Sequence, residues 1–257
     1  MTRLGGPSVR WRRARGDLGS HVSAKLDGRP IEAVLIDAGG VIVDPNWHRI
    51  AELLAERGVE VEAHALIAAE PHAKHALDLQ GRIGQTSDAI RRETYLASVM
   101  AAGGLDGDGT AVAEASGQME REHLERGIWE VVPEGTADAL ARLRASGLKV
   151  ALASNAERSF RHKLAELGLA AAFDHLGISA EIGIEKPDPR FFTAILDAIG
   201  VDASRALHVG DLYEVDVVGA RSAGLTAVLV DPADLYEDVD VVRIRSLSEL
   251  PAVLTLA

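Results

Sequence analysis

At 257 residues the chain is long enough for one large α/β domain or for a core carrying one inserted module, and a hydrophobic content of 47% suffices for a substantial interior. A formal net charge of −12 argues against nucleic acid or an anionic membrane as partner, since both demand a basic surface. With no cysteine, disulfides, thiol catalysis and thiolate metal sites are excluded, so any metal falls to oxygen or imidazole ligands. No apolar run approaches the roughly 18 residues that span a bilayer, and the expectation is a soluble, cytoplasmic protein.

Residues 1–28 carry Arg3, Arg10, Arg12, Arg13 and Arg15 among Gly, Ser and Pro with no apolar period, which predicts a disordered basic tail. The next stretch organises the chain. Val34, Leu35 and Ile36 form a short β-branched-rich apolar run that delivers Asp37 into the turn Gly39-Gly40. A carboxylate is thereby set at the C-terminal end of a buried strand, where open parallel sheets bind their ligands. After Asp44 and Pro45, helical patterns follow one another at 48–57, 62–79, 87–102 and 110–126, separated by glycine-bearing turns, and predict an all-helical insertion over 45–132. Pro45 and Pro133 are its expected hinges.

From residue 134 the pattern alternates. Helices are predicted at 136–145, 158–167, from Pro189 to Ile199 and at 215–222; strands at 150–153, 175–178, 205–209 and 226–230; and a last short strand and helix after Val241. Short connections between alternating elements mean βα units, hence a Rossmann-like parallel sheet with helices on both faces. The core is assigned to 29–44 and 133–257.

Four strand ends carry polar residues that this topology gathers along one edge: Asp37, then Ser154-Asn155, then Lys186, then Asp211 with Asp216. Each has an ordinary structural explanation. Ser154 suits a helix cap, Lys186 a solvated loop, Asp211 a turn beside Gly210, and Asp216 the first turn of a helix. Their joint order and spacing are harder to explain that way.

In this set of motifs the chain resembles the haloacid dehalogenase (HAD) superfamily. The motifs are apolar strand-Asp37, apolar strand-Ser154, Lys186-Pro-Asp-Pro189, and Gly210-Asp211 followed by Asp216. The insertion after the first motif is similar to the helical cap of one large subgroup. The resemblance implies a Mg²⁺-dependent phosphatase of a small phosphorylated metabolite. Asp37 is the implied nucleophile, forming an aspartyl phosphate. The implied metal ligands are Asp37, the backbone carbonyl of Gly39 and Asp211, with Asp216 behind them orienting Lys186 or a metal-bound water. Lys186, Ser154, Asn155, Gly39 and Gly40 are implied to hold the phosphoryl oxygens. A monomer or homodimer is expected.

One departure matters. HAD phosphatases place a second aspartate two residues after the nucleophile as general acid, and here that residue is Gly39. General acid help is worth about 10²–10⁴-fold. Three readings follow: a phosphatase whose leaving group needs little protonation or takes its proton elsewhere, with His48 a candidate; carbon–phosphorus cleavage of the phosphonoacetaldehyde hydrolase type, using Lys74; or an impaired, ligand-binding module. The pattern sets His48 and Lys74 on solvated helix faces; the resemblance implies a cap whose facing residues select the substrate, with His72, His75, Arg82 and Arg91 as candidates on polar faces for which solvated surface is the ordinary explanation.

Overall fold

The computed structural model describes residues 24–56, 58–79, 88–105 and 110–256. A central sheet has the strand order β10-β9-β8-β3-β6-β7 and is parallel throughout. Its strands are β3 (Ala33–Ile36), β6 (Lys149–Ser154), β7 (His175–Ile178), β8 (Ala206–Gly210), β9 (Thr226–Val230) and β10 (Val242–Ile244). Side chains alternate between two apolar layers. Val34, Ile36, Val150, Leu152, Leu207 and Val209 enter one, and Ala33, Leu35, Ala151, Ala153 and Ala206 the other. Burial on both faces makes these strands read as unbroken apolar runs, and it fixes their register, because a one-residue slip would exchange the two layers.

Helices α5 (Thr136–Ala145), α6 (Phe160–Glu166), α7 (Ser179–Ile182), α8 (Pro189–Ile199), α9 (Gly219–Ser222) and α10 (Leu250–Val253) accompany the sheet. In α8, Phe191, Phe192, Ile195, Leu196 and Ile199 form the buried stripe. Asp188 caps its start by accepting from the Arg190 N–H, Pro189 occupies the first turn, and Gly200 closes the end at φ +64°.

Helices α1 (Trp47–Ala55), α2 (Ala63–Leu79), α3 (Asp88–Ala102) and α4 (Thr110–Arg126) form a layer with its own apolar centre, built from Trp47, Ile50, Leu54, Leu66, Leu96, Val99, Met100 and Met119 among others. The insertion is not the wholly helical one that the pattern predicted. Its two connections to the core pair as antiparallel strands, β4 (Asp44–Pro45) with β5 (Trp129–Val131), and Trp129 packs against both the core cluster and the helical one.

The predicted tail also needs correction at its end. Residues 24–28 belong to a hairpin, β1 (Ala24–Leu26) and β2 (Arg29–Ile31), whose β1 also pairs with β11 (Thr255–Leu256). Ala24 and Leu26 are buried, and Asp27-Gly28 turns with positive φ at both residues, the geometry that Asp-Gly favours in tight hairpins. Residues 1–23, with the arginines of the expected tail, lie outside the described residues, as do Arg57, Arg82 and the glycine turn at 107–109.

Candidate active site

The carboxyl ends of β3, β6 and β8 meet beneath the helical layer and floor a cavity of about 170 Å³. Asp37 leaves β3 with its N–H bonded to Val209 O of β8, so the neighbouring strand fixes where the carboxylate emerges. Its Oδ1 accepts from the Ala38 N–H at 2.7 Å and lies 2.9 Å from Lys186 Nζ. Lys186 is wholly buried, and its Nζ also donates to Asp216 Oδ1 at 2.7 Å.

Asp216 is the anchor. Its Oδ2 accepts from the N–H groups of Asp211 and Leu212, while Oδ1 receives Lys186 and faces His208 Nε2 at 2.9 Å. His208 spans from Asp216 to the carbonyl of Leu35 on the adjacent strand, 3.1 Å from Nδ1. Sequence reasoning missed this histidine; a polar residue in the otherwise apolar run Ala206-Leu-His-Val209 was the available signal. The segment after Asp211 winds as a wide π turn, Tyr213–Val218, not the expected α-helix.

Charge at this edge is unevenly matched. Burial pushes Asp37 up to about 6, with Lys186 working against the shift and Asp216 and Asp211 adding to it. Burial likewise raises Asp211 to about 6 against the pull of Lys74. Burial works the same way on Asp216, but Lys186 and His208 outweigh it and hold that carboxyl low. Oxygens of Asp37, Asp211 and Asp216 lie within 4.8 Å of one another. Three carboxylates in so small a volume, with two carrying raised proton affinities, suit a hard divalent cation, and Asp37 and Asp211 line the cavity through which it would enter.

Ser154 ends β6, Asn155 follows it, and both line the cavity. The Asn155 amide, expected on substrate, is engaged elsewhere: it donates to Lys186 O at 3.0 Å and accepts from the Lys186 N–H at 2.8 Å, and so holds that lysine's backbone. Gly40 has φ +70°, and a Cβ there would fall 2.0 Å from Asp211 Oδ2. Only glycine lets the turn after Asp37 approach the Asp211 carboxylate this closely.

From above, α2 contributes Lys74, whose Nζ lies 2.7 Å from Asp211 Oδ2 with 12% of the side chain exposed. The solvated-face reading of Lys74 is therefore corrected. The alternation of Ala with polar residues hid a face that packs on charge. Arg91 is also buried rather than solvated, with its guanidinium 3.0 Å from Glu185, and Arg92 pairs with Glu120 and Glu157. His48 and His72 are exposed, as expected of them, while His75 packs edge-on against Tyr236 at 4.6 Å.

One turn beyond Lys74, Asp78 accepts from the N–H groups of Tyr213 and Glu214 and from the Tyr236 hydroxyl. Replacing Asp78 by Ala strands three donors, and a loss of about 3 kcal/mol in urea unfolding is expected. A loss under 1 kcal/mol would mean that water replaces the carboxylate.

A parallel α/β core with an aspartate–lysine–aspartate cluster at its strand ends and a helical layer above it defines a class of hydrolase. The chain belongs to the haloacid dehalogenase-like hydrolase family, whose model matches residues 31–224. Among curated proteins it is 40% identical over 151 residues to a phosphoserine phosphatase of Thermus thermophilus, an alignment covering 54% of this chain and 60% of that one. It is 32% identical over 193 residues to human haloacid dehalogenase-like hydrolase domain-containing protein 3, covering 71% and 75% respectively. It is also 32% identical over 129 residues to a glyceraldehyde 3-phosphate phosphatase of Methanothermobacter thermautotrophicus, covering 46% and 57%. The alignments thus span about half to three quarters of these relatives. Among solved structures, the fold matches a HAD phosphatase of Thermococcus onnurineus (TM-score 0.55, 23% identity, 87% of this chain and 97% of that one). It also matches the L-2-haloacid dehalogenase of Xanthobacter autotrophicus (TM-score 0.56, 20% identity, 87% and 98%). No helix among the described residues is long and apolar enough to cross a membrane.

Proposed function

We propose that the chain is a Mg²⁺-dependent phosphatase of a small phosphorylated metabolite, with Asp37 as nucleophile. The observation that carries this reading is the fixed triangle of Asp37, Lys186 and Asp216 with Asp211 beside it, at the floor of the cavity that Asp37, Lys186 and Asp211 line. The phosphatase names among the relatives support the same class.

Both contacts on the Asp37 carboxylate fall on Oδ1, so Oδ2 is the atom that attacks phosphorus. Lys186, kept protonated by Asp216 and Asp37 against the effect of burial, supplies positive charge to the transferring oxygens. The Ser154 hydroxyl lies on the same wall and offers them a donor. A divalent ion held by Asp37, Asp211 and the Gly39 carbonyl would neutralise charge between nucleophile and phosphate. The helical layer would act as the cap, excluding water while the aspartyl phosphate forms.

The position of Lys74 keeps a second reading open, imine-based carbon–phosphorus cleavage. Against it, burial is overcome by Asp211 and Glu70, and the Lys74 ammonium is held more firmly protonated than a free lysine. An imine-forming lysine needs the opposite shift. The deciding experiment measures phosphate release with and without Mg²⁺ from nitrophenyl phosphate, sugar 1-phosphates, alkyl phosphates and phosphonoacetaldehyde. Metal-dependent release from the esters is expected. Release from phosphonoacetaldehyde alone would transfer the function to Lys74, and no release from any would leave a binding module.

A further inference from the structure

We propose that the indole N–H of Trp129 binds the departing oxygen of the substrate, and that this chain hydrolyses phosphates whose leaving group departs as a stable anion. The inference rests on the phosphatase reading above. A Cβ built on Gly39, two residues past the nucleophile, meets Trp129 Nε1 at 3.3 Å and Cδ1 at 3.6 Å, with no other contact within 4 Å. The space into which a side chain at position 39 would project is thus faced by the N–H edge of an indole.

That N–H has no acceptor among the described residues, and the half-buried ring lines the cavity. Trp47 shows the contrast, giving its N–H to Glu70 Oε2 at 2.8 Å. Trp129 is also held in place. Its backbone pairs with Pro45, its ring lies 6.1 Å from Tyr95, and His123 packs edge-on at 5.0 Å. A fixed, unused donor on the cavity wall beside the nucleophile is positioned for a substrate oxygen.

Two carboxyl groups on the same wall are engaged. Glu70 accepts from Trp47 and from the Tyr95 hydroxyl at 2.6 Å, and Glu157 is paired with Arg92 and His123. An indole donates a hydrogen bond but keeps its proton. In the first step Asp37 Oδ2 bonds to phosphorus and the phosphorus–oxygen bond of the ester breaks. The electron pair stays on the leaving oxygen, which departs as an anion hydrogen-bonded to Trp129 and takes its proton from solvent. Water then attacks phosphorus, the bond to Asp37 breaks, the water's proton passes to solvent, and phosphate leaves. Without proton transfer, poor leaving groups forgo about 10²–10⁴-fold, of which one neutral hydrogen bond restores about three- to ten-fold. Acyl, enol, aryl and glycosyl phosphates meet that requirement, and simple alkyl phosphates do not.

The test is the dependence of kcat/KM on leaving-group acidity for the Mg²⁺-loaded full chain, from acetyl phosphate through substituted phenyl phosphates to alkyl phosphates. A steep dependence is expected, with alkyl phosphates at least about 10²-fold below aryl ones. Trp129→Phe keeps the ring and removes the donor. It is expected to lower kcat on aryl phosphates about three- to ten-fold and to steepen the dependence, with KM little changed. Gly39→Asp, which sets a carboxyl against Nε1, is expected to flatten the dependence in favour of alkyl phosphates, and it decides the matter should Trp129→Phe not fold. A flat dependence in the wild type would overturn the proposal by requiring a proton donor elsewhere, and an unchanged kcat in Trp129→Phe would overturn the role of Trp129. Either result leaves the phosphatase reading standing. That reading fails separately, by the absence of Asp37-dependent release from every substrate, and would take this proposal with it.

Discussion

Asp37→Asn is expected to abolish phosphate release, by on the order of 10⁴–10⁶-fold, while making the metal-free protein more stable. The two effects share one cause. In the folded protein Asp37 titrates near 6, against 3.8 when unperturbed, because it is buried beside Asp216 and Asp211 and only partly compensated by Lys186. The ionised carboxylate therefore costs the fold stability at neutral pH, on the order of a few kcal/mol. The sign follows from the raised proton affinity. Below about pH 3.8 the group is protonated in both states and the variant gains nothing; the gain grows between 3.8 and 6 and is level above 6. Urea unfolding of both proteins at pH 4 and pH 7.5 measures it. An Asp37→Asn protein that is inactive but less stable at pH 7.5 would contradict the electrostatic account, and one that retains activity would remove Asp37 from the nucleophile role.

Lys74→Met is expected to destabilise the metal-free protein by about 3 kcal/mol and to leave it unusually responsive to Mg²⁺. The 2.7 Å pair with Asp211 is nearly dry, and Glu70 and Asp44 add further negative charge. Breaking such a pair from one side leaves an uncompensated carboxylate. Burial with Glu70 already raises Asp44 to about 6, moderated by Lys74. At the proposed site a divalent ion would compete with Lys74 for Asp211, so the variant should bind it more tightly and gain more in Tm per added Mg²⁺ than the wild type. Calorimetry with magnesium or a chelator measures both. Equal Tm shifts in the two proteins would show that Asp211 does not have to exchange one cation for the other.

The core was legible because its strands are buried on both faces and end in glycine or polar turns. Runs such as Val34-Leu-Ile36 and Val150-Ala-Leu-Ala153 admit few other readings. Asp37, Lys186, Asp211 and Asp216 were legible because a parallel sheet collects strand ends on one edge. What escaped was whatever depended on packing between distant segments. Lys74 and Arg91 sit on helix faces whose neighbours are charged, so apolar periodicity carries no trace of their burial. His208 is hidden inside a strand by a single carboxylate partner, and Trp129 acquires meaning only from standing 3.3 Å from where a Cβ at position 39 would lie. The hairpin of residues 24–31 was overlooked because the arginines before it dominated the composition, although Asp27-Gly28 between alternating apolar residues carries the turn signal.

The helical layer is fastened to the core chiefly by polar groups: Lys74 on Asp211, Asp78 on the turn at Tyr213, Arg91 on Glu185 and Arg92 on Glu157. Among the described residues, only Trp129 belongs to both apolar clusters. Parting the two layers therefore wets charges that water solvates well and uncovers little hydrocarbon. Such an opening has almost no heat-capacity change and little denaturant sensitivity, and it grows easier as salt screens the pairs. Global unfolding has the opposite signature on the first two counts, so calorimetry distinguishes a chain whose layers have separated from one that has lost its fold.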